Sequence, residues 1–148
     1  MSSKSVVVLA GLPGSGKSAW LRKNNLPCLS SDEIRRLLRD DPTDQTINRA
    51  VFAMLRLLLR KRLELGAAVT YVDATNLTPR ERRPYIKIAE GFGARADAVF
   101  FDTPVAVCKA RNAARDRIVP DEVIDRMAAR MTAPSVAEGF ASVERVSV

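Results

Sequence analysis

The chain has 148 residues, of which 24 are lysine or arginine and 17 are aspartate or glutamate, and it contains no histidine. A chain of this length folds as one domain without disulfide staples, and we expect that domain to cover residues 1–148. The net charge of +7 favours anionic partners such as nucleotides or nucleic acid. Without histidine, any general base has to be a carboxylate, a cysteine, a lysine or a tyrosine.

The cysteines and the apolar segments indicate the cellular compartment. Cys28 and Cys108 lie far apart and lack the spacing of metal ligands, so we expect two buried, reduced thiols. The apolar run at residues 6–10 is too short for a signal peptide, and no stretch is long enough to span a membrane. The sequence therefore predicts a cytoplasmic protein without a membrane partner.

The first predicted elements are a strand, a loop and a helix. The apolar run at residues 5–10 is typical of a buried parallel strand, and residues 19–23 suit a helix. Between them, residues 11–18 read Gly-Leu-Pro-Gly-Ser-Gly-Lys-Ser and match the pattern G-x-x-x-x-G-K-[ST] at every position. We interpret this segment as a phosphate-binding P-loop.

The residue types of this P-loop suit a nucleoside triphosphate. Its glycines allow successive backbone N–H groups to point at a polyphosphate placed on a helix N-terminus. Lys17 adds positive charge for the β- and γ-phosphates, and the Ser18 hydroxyl is a ligand that Mg²⁺ accepts. The predicted ATP contacts in the loop are Gly11, Pro13, Gly14, Ser15, Gly16, Lys17 and Ser18.

A second strand and two helices follow. The strand is predicted at residues 26–30, and the next helix begins with Ser31 as its cap. The apolar face of that helix consists of Ile34, Leu37 and Leu38. The second helix is the longest and ends near residue 66. Its apolar face is predicted from the helical spacing of Ile47, Val51, Leu55, Leu58 and Leu65.

Asp32 follows the second strand, which we expect to lie near the P-loop. Ligands of an open parallel sheet bind beyond the carboxyl ends of its strands. The Asp32 carboxylate could therefore accept a proton from a substrate hydroxyl, and Arg35, one turn later, could hold a substrate phosphate. The same two residues fit a supported helix end with a solvated arginine equally well.

The third predicted strand, residues 69–73, ends at Asp73 in the string Asp-Ala-Thr-Asn. A carboxylate at this position could order Mg²⁺ through water or orient Ser18, whereas a turn-capping aspartate is the alternative. We predict Ser18 and Asp73 as metal ligands. The predicted substrate-binding residues are Asp32, Arg35, Asp73 and Asn76.

The remaining elements continue the alternation of strands and helices. A capping box from Thr78 to Glu81, with Pro79 at the first helical position, begins a helix that ends near residue 91 or 93. A strand at 98–102, a helix at 103–115, a helix from 120 and a possible edge strand at 143–148 follow. This order predicts an α/β fold, a three-layer sandwich with a mostly parallel sheet. The last helix is expected to bury Val123, Ile124, Met127 and Met131.

A basic segment between the last two helices resembles a lid. Arg111 and Arg115 are four residues apart on one predicted helix face, and Arg115 and Arg117 lie where that helix ends before Pro120. Arginines there could close over a nucleotide and neutralise charge in the transition state. A solvated charged face is the alternative interpretation.

Together these strings resemble the kinase domain of the phage and bacterial polynucleotide 5′-kinases, part of a wider group of small P-loop phosphotransferases. The matching segments are residues 11–18, 31–35, 73–79, 101–104 and 111–120, so the resemblance covers nearly the whole chain. It implies a P-loop kinase fold of the adenylate-kinase-like type with a short arginine-rich lid. It also implies ATP and Mg²⁺ as cofactors and a role in nucleic-acid repair.

The resemblance assigns roles to individual residues. The aspartate that matches Asp32 is the general base of that family, the arginine that matches Arg35 grips the substrate phosphate, and the arginine that matches Arg115 contacts ATP phosphates. We therefore predict Lys17, Asp32 and Arg115 as catalytic residues, and Arg111 and Arg115 as further ATP contacts.

Two departures from the family remain. Its members often carry a fused phosphatase or ligase domain, which these 148 residues do not include. An aromatic platform for stacking bases is not evident, because Phe52, Phe100 and Phe101 fit apolar core patterns better.

The leading hypothesis is an ATP-dependent kinase that acts on the 5′-hydroxyl of RNA or DNA ends. A kinase of a small alcohol such as a sugar, nucleoside or antibiotic is the rival enzyme. A nucleotide-dependent switch without transferase activity is the third possibility. The sequence lacks the Asn-Lys-x-Asp string that reads guanine, which argues against a GTPase switch.

Overall fold

The computed structural model describes residues 3–115 and 119–147. Within these ranges, strands and helices alternate along most of the chain, and two single 3₁₀ turns lie at Gln45–Ile47 and Val136–Glu138. The elements in chain order are β1 (Ser5–Ala10), α1 (Lys17–Lys23), β2 (Cys28–Ser30), α2 (Ser31–Arg39), α3 (Asn48–Glu64), β3 (Val69–Asp73), α4 (Pro79–Gly91), β4 (Arg95–Phe101), α5 (Val105–Ala113), α6 (Asp121–Arg130) and β5 (Ser142–Val146).

The strands form one parallel sheet in the order β2-β3-β1-β4-β5. The α/β prediction and the edge strand near the C-terminus are confirmed. Leu9 at the end of β1 lies opposite Asp73 at the end of β3, so the P-loop and Asp73 leave the same edge of the sheet. Strand β2 lies at the edge of the sheet, with β3 between it and β1, and its end still lies near the P-loop as expected, since Ser30 and Lys17 line one cavity.

Side chains of β1 alternate between two cores because successive strand residues point to opposite faces. Val6 and Val8 pack in a core with the α3 and α4 side chains, for example Leu55 and Ile86. Leu9 packs on the other face, against Leu21 of α1. Helices on both faces of the sheet make the expected three-layer sandwich.

The sequence placed one helix cap and several leucines incorrectly. Ser30, not Ser31, caps α2, because its hydroxyl accepts a hydrogen bond from the Glu33 N–H at 3.2 Å. Only Ile34 of the predicted α2 face is buried, since Leu37 and Leu38 are 67% and 43% exposed. A nine-residue helix over a short edge strand covers too little core to bury three apolar residues.

The buried stripe of α3 is displaced from the predicted one. Its buried residues recur every four positions, so Leu58 lies beside the stripe and is 37% exposed, and Leu65 beyond the helix end is 86% exposed. Both had been expected to be buried. The buried α3 residues are Val51, Leu55, Leu59 and Leu63.

Helix α4 begins at the predicted capping signal, in a modified form. The Thr78 hydroxyl accepts from the Glu81 N–H at 3.3 Å, as expected. The Glu81 carboxylate, however, accepts from the Leu77 N–H at 2.7 Å rather than from Thr78, and its other oxygen pairs with Arg130 at 2.6 Å. The cap therefore also fastens α6 to α4.

Arg82 of α4 is a fully buried cation that joins three segments. Its guanidinium donates to the Asn76 carbonyl at 2.8 Å, the Thr132 carbonyl at 3.1 Å and both carboxylate oxygens of Glu138 at 2.9 and 3.0 Å. Burying a charge is costly unless it is paired and hydrogen-bonded, and Arg82 satisfies both conditions. It fixes the loop after β3 to the segment after α6.

Neither cysteine forms a disulfide, as expected, although Cys28 is only half-buried whereas Cys108 is fully buried. Burial, with a smaller contribution from Asp73, raises the pKa of the Cys28 thiol to about 11. Across residues 3–115 and 119–147, no helix is both long and apolar enough to cross a membrane.

Candidate functional site

A cleft of about 1740 Å³ opens at the carboxyl edge of the sheet. Residues from the P-loop, the start of α2, the end of β3 and the segment after α5 line it together. The cleft therefore collects most of the side chains that the sequence singled out. Those lining it are Pro13, Gly14, Gly16, Lys17, Ser18, Asp32, Arg35, Asp73, Asn76, Arg111 and Arg115.

The P-loop is shaped by two glycines and by contacts on both sides. Gly14 and Gly16 have φ angles of 80° and 108°, which other residues rarely adopt. A Cβ on Gly14 would lie 2.4 Å from the Cys108 carbonyl oxygen, so the loop approaches α5 more closely than any side chain allows. The Gly11 N–H donates to the Thr75 carbonyl at 2.9 Å, and the Thr103 hydroxyl donates to the Ser15 carbonyl at 2.8 Å.

Gly11 and Ser15 lie inside this loop rather than at the cleft surface. The Ser15 N–H donates to the Leu12 carbonyl at 3.0 Å, and its side chain is 1% exposed. The Gly11 N–H is the one bonded to Thr75. Contact of these two residues with ATP remains a prediction, whereas their structural part is to close the turn.

Lys17 lies at the centre of the cleft's charge. Its ammonium donates to the carbonyls of Gly11 at 2.7 Å and Leu12 at 3.0 Å. Burial lowers the pKa of Lys17, while the carboxylates of Asp73 and Asp32 act to raise it. A polyphosphate in the loop would add the negative charge that favours the ammonium form.

Asp73 and Ser18 provide a donor set that suits Mg²⁺. Both side chains line the cleft, and burial raises the pKa of Asp73 while Lys17 opposes that shift. Mg²⁺ takes oxygen ligands and is commonly held by one or two carboxylates together with substrate phosphates and water. One carboxylate and one hydroxyl beside the P-loop fit this pattern, although the metal-ligand roles remain predictions.

Asp32 is held by the arginine one turn away. Arg35 Nη1 lies 2.9 Å from Asp32 Oδ1, and Arg35 Nη2 donates to Asn48 Oδ1 at 2.9 Å. The Arg35 side chain is 4% exposed and that of Asp32 is 42% exposed. Arg35 thus fixes an accessible carboxylate, and this contact adds an orienting function to its predicted grip on a substrate phosphate.

Arg35 also retains unused hydrogen-bonding capacity. Its Nε is buried and, among the described residues, has no hydrogen-bond partner. An unsatisfied buried donor of a charged group is costly, which is characteristic of a site completed by a ligand.

The arginine-rich segment differs from its prediction. Helix α5 ends at Ala113, so Arg111 and Arg115 do not share one helix face, yet both line the cleft. The positive charge of Arg115 adds to the lowering of the Lys17 pKa by burial, and it opposes the rise that burial causes in the pKa of Asp73. Residue 117, the other predicted lid arginine, lies outside the described residues.

Asn112 lies in one of the segments that match the resembled family, but no role was predicted for it from the sequence. Its side chain is 1% exposed, accepts from the Val119 N–H at 3.0 Å and donates to the Val119 carbonyl. These two hydrogen bonds join the end of α5 to the residue that precedes Pro120 and α6. Arg115 lies between Asn112 and Val119 in the sequence. Asn112 is therefore a positioning residue that helix periodicity does not reveal.

Asn76 and Phe52 also differ from the sequence interpretation. The Asn76 amide donates to the Leu9 carbonyl at 2.7 Å from a buried residue with a φ of 45°, which ties the loop after β3 to β1. Its contact with substrate remains a prediction. Phe52 packs partly against the core but also lines the cleft, whereas Phe100 and Phe101 are buried as expected.

A protein-family model covers most of this chain. The model described as "AAA domain" matches residues 6–134, which includes the P-loop, Asp32, Asp73 and the arginines after α5. That description is broader than the polynucleotide kinases that the sequence resembles.

Solved structures share this fold over most of the chain. A protein from Chloroflexus aurantiacus described as a candidate kinase superposes with a TM-score of 0.74 at 15% identity, covering 99% of this chain and 86% of that one. A chain of the Pnkp1/Rnl/Hen1 RNA repair complex gives 0.73 at 18% identity and covers 88% of this chain but 44% of that chain. A gluconokinase from Sinorhizobium meliloti gives 0.60 at 20% identity, with 99% and 83% coverage.

Proposed function

Since the chain belongs to the AAA-domain family and has the fold of P-loop kinases, we propose that it transfers the γ-phosphate of ATP to the 5′-hydroxyl of an RNA or DNA end. The observation that carries this proposal is the convergence of charged groups in one cleft. Lys17, Asp73, Asp32 and Arg115 come from four separate segments and line one cleft, where Lys17 and Asp73 each interact electrostatically with the other three. This set contains the cations and carboxylates that phosphoryl transfer uses.

In the proposed reaction the acceptor oxygen attacks the γ-phosphorus while its proton passes to the Asp32 carboxylate. The bond between the γ-phosphorus and the β,γ-bridging oxygen breaks, and ADP leaves with the bonding electrons. Lys17 and Arg115 stabilise the negative charge that accumulates on the phosphoryl oxygens. Bound Mg²⁺, held by Ser18 and Asp73, would neutralise charge on the β- and γ-phosphates.

The acceptor class rests on Arg35 and on the charge of the cleft. A nucleic-acid end carries a phosphate within one nucleotide of its 5′-hydroxyl, and the Arg35 cation lines the cleft beside Asp32. The chain as a whole carries a charge of +7, which favours a polyanionic acceptor.

A small alcohol is the second candidate acceptor. It is supported by the similarity to the gluconokinase, whose structure this chain matches over 99% of its length. An acceptor without phosphates would leave Arg35 with the orienting function alone.

The deciding experiment is a radiolabelled ATP transfer assay. Oligonucleotides with 5′-hydroxyl ends, both RNA and DNA, are compared with a panel of sugars, nucleosides and other alcohols at saturating ATP and Mg²⁺. Three variants are tested with the wild type. Lys17→Ala should lose about a hundredfold or more in kcat, as expected for one preorganised electrostatic group. Asp32→Asn should lower kcat strongly with little change in ATP affinity, and Glu33→Gln is its matched control because Glu33 is the adjacent, exposed carboxylate.

The outcomes separate the two candidates. Transfer to oligonucleotides that requires Asp32 but not Glu33 supports the polynucleotide kinase. Efficient transfer to a neutral alcohol, with none to any 5′-hydroxyl oligonucleotide, would support the kinase activity but refute the nucleic-acid acceptor. Near-normal transfer by folded Asp32→Asn would refute the assigned base.

A further inference from the structure

A second cavity of about 610 Å³ lies between α3 and α4, beside the cleft. Its apolar base includes Ile88 and Phe92. Its cationic residues are Arg56 and Arg60 of α3 and Arg80, Arg83 and Lys87 of α4. No carboxylate belongs to its lining. We refer to this cavity as the basic groove.

The five cations of the basic groove have no carboxylate partners among the described residues. Elsewhere, exposed arginines are commonly paired, as in Arg36 with Glu33, Arg95 with Asp97 and Arg145 with Asp102. Five like charges around one cavity repel one another, and this repulsion is relieved when an anion with several charges enters. The groove therefore has the electrostatics of a polyanion site.

The basic groove opens into the cleft on the side of Asp32. Arg56 and Arg80 line both cavities. Along α3, the residues at four-position spacing are Asn48, Phe52, Arg56 and Arg60, which share one helix face. At 1.5 Å per residue, this row extends about 18 Å along the helix axis. It begins at Asn48, the hydrogen-bond partner of Arg35, and ends in the groove.

We propose that the basic groove holds the backbone phosphates of a single-stranded nucleic acid whose 5′-hydroxyl end lies at Asp32. This inference rests on the proposed function and specifies how its acceptor is held. The two cationic rows face each other across the cavity, and along α3 successive arginines are about 6 Å apart. A strand that leaves the acceptor site thus passes Phe52 and Arg56 first, and then lies between α3 and α4.

A nucleic-acid strand is favoured over an acidic protein segment by this continuity. The groove and the cleft share Arg56 and Arg80, so an occupant of the groove is continuous with a substrate in the cleft. A strand also places one charge at each nucleotide, which suits a regular row of cations, because phosphate contacts dominate sequence-independent affinity.

The test removes groove charges without altering the cleft. The groove variant is Arg60→Ala/Arg83→Ala/Lys87→Ala, which spares Arg56 and Arg80. The matched control is Lys23→Ala/Arg95→Ala/Arg126→Ala, which removes the same number of positive charges from exposed positions outside both cavities. Thermal melting verifies that both variants fold.

Two measurements are made on each protein. The first is kcat/KM for a nucleoside 3′-phosphate and for 5′-hydroxyl oligonucleotides of increasing length. The second is the dissociation constant of a fluorescent oligonucleotide, by anisotropy, as a function of salt. An oligonucleotide with neutral methylphosphonate linkages after the first nucleotide serves as the probe without groove charges.

For the wild type and the control, kcat/KM should rise about tenfold or more with acceptor length, and the neutral-linkage probe should lose that gain. The groove variant should use the nucleoside 3′-phosphate normally but gain little from length. Its log–log salt slope should be shallower by about 2, since three cations each release about 0.7 counterion on a single strand.

The failures of the two proposals are distinguishable. Transfer to the nucleoside 3′-phosphate, with the same length dependence in the groove and control variants, overturns the groove proposal and keeps the polynucleotide kinase. The opposite failure is also possible: the wild type binds oligonucleotides in a salt-dependent way that the groove variant loses, but it transfers no phosphate to any 5′-hydroxyl. That result supports the groove as a nucleic-acid site and overturns the proposed acceptor of the kinase. Equal competition by polyglutamate for the groove-dependent binding overturns the choice of nucleic acid.

Discussion

At the residue scale, Tyr85 of α4 shows how the cleft wall affects a titratable group. Its side chain is 2% exposed and lines the cleft. Burial raises the pKa of Tyr85 to about 12, whereas nearby Arg56 acts to lower it. The folded state therefore favours the neutral phenol at pH values where an exposed tyrosine, with a pKa of about 10, has already ionised.

This shift predicts a loss of stability at alkaline pH. Below about pH 10 the phenol is neutral in both states and the contribution is complete, and it is lost as pH rises toward 12 because only the unfolded chain ionises. Between pH 9.5 and 11.5 the free energy of unfolding of the wild type should fall by about 2 kcal/mol more than that of Tyr85→Phe. Urea unfolding at the two pH values measures the difference.

Tyr71→Phe is the control, since it removes the other tyrosine of the chain and leaves Tyr85. An alkaline fall of the same size in wild type and Tyr85→Phe would contradict the assignment to Tyr85.

The local sequence was sufficient to predict those residues whose roles depend on the conformation of the neighbouring backbone. The P-loop pattern requires glycine where φ is positive, and Gly14 and Gly16 have such angles. The tie of Arg35 to Asn48 spans thirteen residues, and Asn76 reaches Leu9 across sixty-seven. Such contacts depend on how elements pack, so no local pattern could have predicted them.

At the element scale, the connection between α5 and α6 controls Arg115. Asn112 bonds to both backbone groups of Val119, and the arginine lies within the span that these bonds close. Asn112→Ala should therefore displace Arg115 and lower kcat/KM for ATP about ten- to a hundredfold, because small misplacements of a catalytic group are costly. Steady-state kinetics at varied ATP measure this loss.

The double variant Asn112→Ala/Arg115→Ala tests whether Asn112 acts through Arg115. If it does, the double variant is no slower than Arg115→Ala, since the two changes remove one interaction. Additive losses would assign Asn112 a separate effect. Arg115→Lys should restore little activity, because a point charge does not replace a planar fork.

Helix existence was easier to predict than helix orientation. The apolar spacing predicted α3, but several nearby leucines allow more than one stripe, and packing on the sheet selected Leu59 and Leu63 over Leu58 and Leu65. In α2, the capping serine was displaced by one residue because Ser30 and Ser31 both fit the local signal. Tertiary contacts decide between such alternatives.

At the scale of the whole molecule, Arg82 and Glu138 join elements that lie far apart in sequence. Glu138→Ala would leave a fully buried guanidinium without its counter-ion, and breaking a buried pair in this way typically costs about 3–5 kcal/mol. Asp102→Ala breaks the exposed pair with Arg145 and should cost less than about 1 kcal/mol. Denaturant unfolding of the two variants gives both values, and equal losses would contradict the role assigned to Arg82.

The fold class was predictable at this scale because alternating strands and helices permit few arrangements. The order of strands was less so, since Asp32 follows an edge strand that β3 separates from β1. The cleft still brings Asp32 and Lys17 together because all the strands end at one edge.

The buried guanidinium of Arg82 also imposes an order on biosynthesis. The ribosome releases the P-loop, Asp32, Asp73 and Arg115 before Glu138, so the nascent chain contains every proposed catalytic residue while Arg82 still lacks its counter-ion. A ribosome-stalled chain that ends near residue 134, where the family match also ends, should therefore be cleaved by proteases more readily than the chain of 148 residues. Arg82 gains its counter-ion only once the segment that carries Glu138 has emerged and packed against α4.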